Sequence, residues 1–370
     1  MGNVKFSRIA VKIGSNVLTC EDKSLDTSRM SALVNQIATL RKAGVDVVMV
    51  SSGAVAAGRS ELKEVAEGKQ LDSVSARQLF SAVGQAKLMN IYYELFREHG
   101  ISCGQVLTTK EDFSTRRHYL TQKHCMEVML SNSVVPIVNE NDTISVSELM
   151  FTDNDELSGL IATMMGAEAL IILSNVDGVY DGNPNDVGSK VIMDIDTAEN
   201  KINSSDVVCS SKSSAGRGGM GTKFRISEKV ASEGVAVIIA NGKRDDILLD
   251  IISGDRECVP YTLFAPNERA ASTIKKWIAH SDSFAKGSIS VNQGAYDALT
   301  SGRATSLLPI GVTGVTGDFE KDDIVNILSP DGVEFAVGKV SYSATEATAL
   351  IGTQGAKAVI HYDYMYQLAK

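Results

Sequence analysis

The chain is short of several things that would have named a chemistry. No apolar run reaches the length of a membrane span, and residues 1–20 carry Lys5, Arg8 and Lys12 within a strand-and-loop pattern rather than a leader. This excludes a helical membrane protein and points to the cytoplasm. The five cysteines (Cys20, Cys103, Cys125, Cys209, Cys258) are odd in number, scattered and without C-x-x-C spacing. That argues for a reducing compartment and against a metal held by the protein. Cys103 and Cys125 lie in apolar surroundings and read as packing residues. The five histidines show no H-E-x-x-H pair, and no G-x-S-x-G elbow is present, so neither a zincin nor a Ser-His-Asp hydrolase is indicated. Basic excess is missing too: the formal net charge is −9. A protein whose main task is gripping nucleic acid would be basic, so that partner is not expected. The balance leaves room for an anionic small molecule at a locally positive site.

Hydrophobic residues make up 44% of the 370 and charged residues 22%, the balance of a globular chain long enough for two domains. Up to about residue 260, short Val/Ile-rich runs alternate with helical patterns. The strand candidates are Ile9–Ile13, Val45–Val50, Val134–Val138, Ala169–Leu173 and Val235–Ala240; apolar almost throughout, they read as strands buried on both faces. Helical spacing runs over Ser28–Ala43, Ser75–Glu98, Ser114–Ser131, Glu156–Met165 and Lys223–Glu233. Such alternation predicts an α/β fold, a parallel sheet with helices on both faces, whose ligand sits beyond the carboxyl ends of the strands. The loops starting at those ends are Gly14-Ser15-Asn16, Ser51-Ser52-Gly53-Ala54, Asn139-Glu140-Asn141-Asp142 and Ser174-Asn175-Val176-Asp177-Gly178. Asp177-Gly178 reads as a hairpin turn. Residues 262–284 read as a linker with one short amphipathic helix around Ile274–Ile278, which includes the only tryptophan. Residues 285–370 are short-stranded and glycine-punctuated (Ser288–Val291, Gly311–Val315, Ile324–Leu328, Glu334–Val340), a small β-barrel-like domain. With six basic residues against nine acidic, this part carries −3.

Four glycines fall within Gly216–Gly221, and Lys223 follows. Bare backbone N–H groups at this density suit a phosphate chain, and the lysine adds charge. The stretch is neither a P-loop, because Thr222 and Lys223 are in reversed order, nor a dinucleotide fingerprint, because residues 209–215 are polar and small and form no strand. A plain surface loop is the alternative. Lys12 sits inside the first apolar strand just before Gly14. It either reaches solvent along its stem or meets an anion. Two lysines converging on a triphosphate would offset charge during phosphoryl transfer. Asp153 and Asn154 precede a helix, where such residues cap; Asp142 can cap or form an Asx-turn.

Six segments, in order, resemble the amino-acid kinase family. They are Val11-Lys12-Ile13-Gly14-Ser15; Ser51 to Gly58; Pro136-Ile137-Val138-Asn139-Glu140-Asn141-Asp142; Asp153-Asn154-Asp155-Glu156-Leu157-Ser158; Gly218-Gly219-Met220-Gly221-Thr222-Lys223; and Ser306-Leu307-Leu308-Pro309-Ile310-Gly311, the last similar to a C-terminal PUA domain. The resemblance implies an α/β/α sandwich with a mainly parallel central sheet over residues 1–261, the linker 262–284, and a PUA-like domain over 285–370. It is to the branch that phosphorylates the γ-carboxylate of L-glutamate with ATP, the first step of proline biosynthesis. Relatives acting on N-acetylglutamate, aspartate or uridylate lack the C-terminal domain. PUA domains often bind RNA, a reading that the acidic balance of residues 285–370 opposes. By resemblance, Lys12 and Lys223 hold the γ-phosphoryl group and Asp155 orients them. Ser52, Gly53, Asp142 and Asn154 contact glutamate. Gly14, Ser174, Asn175, Arg217, Gly218, Gly219, Met220, Gly221, Thr222 and the two lysines contact ATP, with Mg²⁺ riding on the phosphates. A homo-oligomer (dimer or tetramer), feedback inhibition by proline and a hand-off to glutamyl phosphate reductase are implied in the same way. Ser174-Asn175 stands where the family usually has Thr-Asp, and Arg217 where it has Thr.

Overall fold

The computed structural model describes residues 6–63, 71–113, 116–145, 153–184, 186, 188–196, 219–254, 259–267, 285–301 and 305–368. The backbone divides into two compact units, Met1–Lys110 with Gln122–Ala270, and Glu111–Thr121 with Ala271–Lys370.

The first unit is built on an eight-stranded sheet. Its strands are β1 (Arg8–Ile13), β2 (Asp46–Ser51), β3 (Ser102–Thr108), β4 (Val134–Glu140), β5 (Ala169–Ser174), β6 (Asp194–Ile195), β7 (Ala236–Asn241) and β8 (Thr262–Phe264), in the order β3-β4-β2-β1-β5-β7-β8-β6. Pairing is parallel except between β7 and β8. β1, the central strand, is buried along nearly its whole length, which accounts for its apolar run. Ile13 lies opposite both Ser51 and Leu173, and Val138 opposite Val50. The carboxyl ends of four strands are therefore level, and their loops leave from one edge.

Side chains alternate across a strand. Ile9, Val11 and Ile13 pack on one face with Met30, Leu33 and Ile37 of α2 (Thr27–Lys42). Leu88, Tyr92 and Phe96 of a long helix (Ser73–Glu98) join the same core. Ala10 points the other way, into a core with Ala162, Phe224 and Val230. Those three belong to the helices Asn154–Met165 and Met220–Ser232. Lys12 shares the parity of Ala10, so the two-residue period sends it toward these helices.

The second unit has a five-stranded sheet, β9 (Gly287–Val291), β10 (Val312–Gly317), β11 (Ile324–Leu328), β12 (Glu334–Lys339) and β13 (Met365–Gln367), ordered β10-β9-β11-β12-β13. Ile289, Val325, Ile327 and Ile360 form its core.

Several expectations need correction. Thr262–Phe264 is a strand of the first sheet, not the start of a linker. The helix expected around Ile274–Ile278 lies outside the described residues. Asp177-Gly178 is no hairpin tip: the Asp177 carboxylate is held by Arg244 (Nε 2.8 Å, Nη2 2.9 Å) and Asn241 (3.0 Å), which ties the loop after β5 to the end of β7. Cys125 is exposed, because Tyr119, Met126 and Leu130 form the buried stripe of its helix (Arg116–Ser131).

Candidate active site

Four helices begin at the level edge of the sheet. They are α1 (Ser15–Leu18), α3 (Ala54–Glu61), and the two helices starting at Asn154 and Met220, with N-caps Gly14, Gly53, Asp153 and Gly219. The three glycine caps supply no side-chain hydrogen bond, so the first backbone N–H groups of those helices have no cap acceptor. Helix N-termini of this kind favour anions. Gly53 has φ 103°, a left-handed conformation open to glycine, at the turn from β2 into α3.

The centre of the arrangement is Asp155, which is 1% exposed. Lys12 Nζ stands 2.5 Å from its Oδ1 and Lys223 Nζ 2.9 Å from its Oδ2. Lys12 comes from the middle strand; Lys223 comes from the first turn of the helix Met220–Ser232. Burial alone would raise the Asp155 carboxyl, but the two ammonium groups outweigh it and hold it below the ordinary value. Asp153 behaves in the opposite way. Its Oδ1 accepts from the backbone N–H groups of Asp155 (2.9 Å) and Glu156 (3.1 Å), while its buried Oδ2 has no hydrogen-bond partner among the described residues. Burial first, then the Asp155 charge, push its pKa up to about 6 against the pull of Lys12 and Lys223.

A second cluster adjoins this one through Asn154, whose Nδ2 donates to Ser51 O (3.1 Å), Ser52 Oγ (3.0 Å) and Asn139 Oδ1 (3.1 Å). Asn139 Oδ1 also receives the Glu140 N–H, and its Nδ2 donates to Gln85 Oε1, both at 2.9 Å. Asp142 forms a third: Arg77 Nε donates to its Oδ1 at 2.7 Å, and Arg77 Nη2 donates to Glu140 Oε2 at 2.7 Å. A cavity of about 250 Å³ is lined by Ser81, Gln85, Leu107, Glu140, Asp142 and Thr143 among others.

Of the expected residues, Lys12, Lys223 and Asp155 meet directly, and Ser52 and Asn154 meet beside them. Gly14 N–H bonds to Leu173 O at 3.1 Å, so it neighbours Ser174 at the end of β5. Ser174 is buried and Asn175 exposed, and neither has a hydrogen bond to the lysine–aspartate trio among the described residues. Gly219 is the N-cap; Met220, Gly221 and Thr222 are in the first helical turn with Lys223, so the helix begins three residues before the expected Lys223. Arg217 and Gly218 lie outside the described residues. Arg77, Gln85, Asn139 and Glu140 join these clusters although they are not among the expected residues. Asn139 and Glu140 were visible at a strand end, whereas Arg77 and Gln85 looked like any polar residues of an amphipathic helix. Among the described residues no group of three or more His, Cys, Asp or Glu could hold a metal ion, and no helix is long and apolar enough to cross a membrane.

Parallel strands, lysines from a central strand and a helix start, and glycine-capped helix N-termini make an arrangement suited to a phosphorylated ligand at the strand ends. The amino acid kinase family model matches residues 7–241, and the chain belongs to that family; a PUA domain model matches residues 287–362. A protein named glutamate 5-kinase from Bacteroides thetaiotaomicron is 60% identical over 98% of this chain and 99% of its own length. Another of that name, from Chlorobaculum tepidum, is 46% identical over 98% of this chain and 97% of its own. Among solved structures, carbamate kinase from Giardia lamblia bound to AMP-PNP superposes with a TM-score of 0.53 at 16% identity, covering 71% of this chain and 100% of that one, a likeness of fold.

Proposed function

We propose that this protein transfers the γ-phosphoryl group of ATP to the γ-carboxylate of L-glutamate, giving L-glutamyl 5-phosphate, the first step of proline biosynthesis. The observation that carries the reading is the convergence of Lys12 and Lys223 on one buried carboxylate at the strand ends. The nucleophile needs no general base, since a side-chain carboxylate with a pKa of about 4.3 is ionised at neutral pH. One carboxylate oxygen forms a bond to phosphorus as the bond from phosphorus to the ADP oxygen breaks. The obstacle is the approach of two anions, and preorganised cations and bare N–H groups reduce it. Asp155 keeps the two ammonium groups in place before substrate arrives. Ser52, Asn154 and Asp142 would hold glutamate; Gly14, Ser174, Asn175 and Gly219–Lys223 would hold the nucleotide. Mg²⁺ enters as part of MgATP: the Asp155 carboxylate is already engaged by lysines, which suits a metal brought on the phosphates rather than a resident one. A cytoplasmic homo-oligomer, inhibited by proline and passing its labile product to glutamyl phosphate reductase, completes the proposal.

The test is an amino-acid panel with ATP, Mg²⁺ and hydroxylamine, which traps acyl phosphates. Glutamate alone should give a hydroxamate. Hydroxamate from aspartate or N-acetylglutamate instead, or none from glutamate, would reject the assignment.

A further inference from the structure

The side-chain amides between Ser51 and the cavity form a relay whose orientation is fixed from one end. The Ser51 carbonyl can only accept, so Asn154 must present Nδ2 to it, and the same Nδ2 donates to Asn139 Oδ1. The Glu140 backbone N–H also donates to Asn139 Oδ1. Asn139 must then point its own Nδ2 outward, to Gln85 Oε1 at 2.9 Å. Gln85 is left with its amide nitrogen as the free end. That atom is buried and has no hydrogen-bond partner among the described residues, in a residue only 9% exposed that lines the cavity of about 250 Å³. A buried, unmet donor in a residue that lines a cavity is costly unless something else accepts from it.

Three considerations bear on what that acceptor is. Asp142, expected to contact the amino-acid substrate, lines the same cavity as Gln85. The relay starts at Asn154, next in the chain to the Asp155 that gathers the two lysines, and Gln85 stands two hydrogen-bonded side chains further on from it. The relay ends in a donor, which suits a carboxylate and not an ammonium. We propose that Gln85 Nε2 donates to the α-carboxylate of the acceptor amino acid, and so makes the site select substrates carrying a carboxylate at the end remote from transfer. The inference rests on the proposed glutamate phosphorylation and adds a specificity-determining residue to it. No bond is made or broken at Gln85.

The experiment compares L-glutamate with 4-aminobutanoate, which keeps the amine and the reacting carboxylate but lacks the α-carboxylate. Each is measured as substrate at saturating MgATP or, where turnover is too low, as a competitor of glutamate. In Gln85→Leu, the KM for glutamate should rise about ten- to a hundredfold, the effect of losing a hydrogen bond to a charged group, while 4-aminobutanoate and the KM for ATP change little. The preference for glutamate therefore collapses. Gln85→Glu, which sets a like charge against the carboxylate, should impair glutamate at least as much and 4-aminobutanoate less. If both substrates weaken together in both variants, or neither does, Gln85 is only a structural member of the relay and the proposal is overturned. Failure of the unaltered protein to phosphorylate glutamate would instead strike the underlying functional reading.

Discussion

Replacing Asp153 by Asn should make this protein more stable at neutral pH, although it removes a charge two residues from the lysine-bound aspartate. Asp153 caps its helix through Oδ1, and an Asn Oδ1 can accept the same two N–H groups. What changes is the ionisation cost. The carboxyl moves from its ordinary 3.8 to about 6 on folding. At about 1.4 kcal/mol per pH unit this disfavours the charged native form by about 3 kcal/mol, which solvent screening at an incompletely enclosed group reduces to about 2. The sign follows from proton counting. Between the two values the folded chain holds a proton that the unfolded chain has released, so stability falls as pH rises through this window and levels off above it. Asn does not titrate. Chemical denaturation of both proteins at several pH values should show Asp153→Asn ahead by about 2 kcal/mol at pH 7.5, with the gap closing towards pH 4. Asp155, whose stabilisation is present above its unfolded value and lost as pH falls through its lowered folded value, acts at lower pH than the window in which Asp153 titrates. A pH-independent gap, or an Asn variant less stable at pH 7.5, would show that Asp153 is not strained by its burial.

Further outcomes follow from the same contacts. Lys12→Ala and Lys223→Ala should each lower kcat by a factor of about a hundred or more while the far-UV spectrum persists, since each removes one of two cations at the charge that develops; near-normal turnover in either folded variant would defeat the assignment. Asp142→Ala should raise the KM for glutamate much more than that for ATP, and equal effects would argue against its role. Gly84→Ala tests the scaffold: a Cβ there would stand 1.8 Å from Ala54 O, where the long helix crosses α3, so about 1–3 kcal/mol of stability should be lost by urea titration, with a loss of glutamate affinity as Ala54 shifts. A neutral Gly84→Ala would mean that the crossing yields easily.

The legible part of the fold was the part dominated by burial. Strands β1, β2, β4, β5 and β7 are enclosed on both faces and read as apolar runs, correct to within two residues at their ends. β3 escaped because it is the edge of the sheet: Ser102, Gln105 and Leu107 are exposed, and its sequence mixes Gly and Gln with Val and Leu. β8 escaped because three residues carry no period. In the site, Lys12 was conspicuous as a charge inside a buried strand, and the glycines marked Lys223. Arg77 could not be found in this way. Its meaning lies in a partner 65 positions away, Asp142, and an arginine on a helix that also faces solvent has no pattern of its own. Gln85 is legible only once the direction of three amides is known.

The charges of the centre set one more condition. Two lysines and two aspartates share the site, so at pH well above 6 their formal charges cancel, and an arriving polyanion gains no net attraction from the four groups together. The balance changes if Asp153 takes up a proton as the anion binds, because an added negative charge raises the pKa of a nearby carboxyl. With a pKa of about 6, Asp153 is roughly one quarter protonated at pH 6.5, so binding can draw in up to about three quarters of a proton. Calorimetric titration with the magnesium complex of a β,γ-imido ATP analogue, in two buffers of different ionisation enthalpy, measures that uptake. Protonation of the analogue itself is common to any protein that binds it, so the informative quantity is the difference between the native chain and Asp153→Asn. The native chain should take up more. Equal uptake would mean that the phosphates never come within electrostatic reach of Asp153, and hence that Lys12 and Lys223 meet them from some other side.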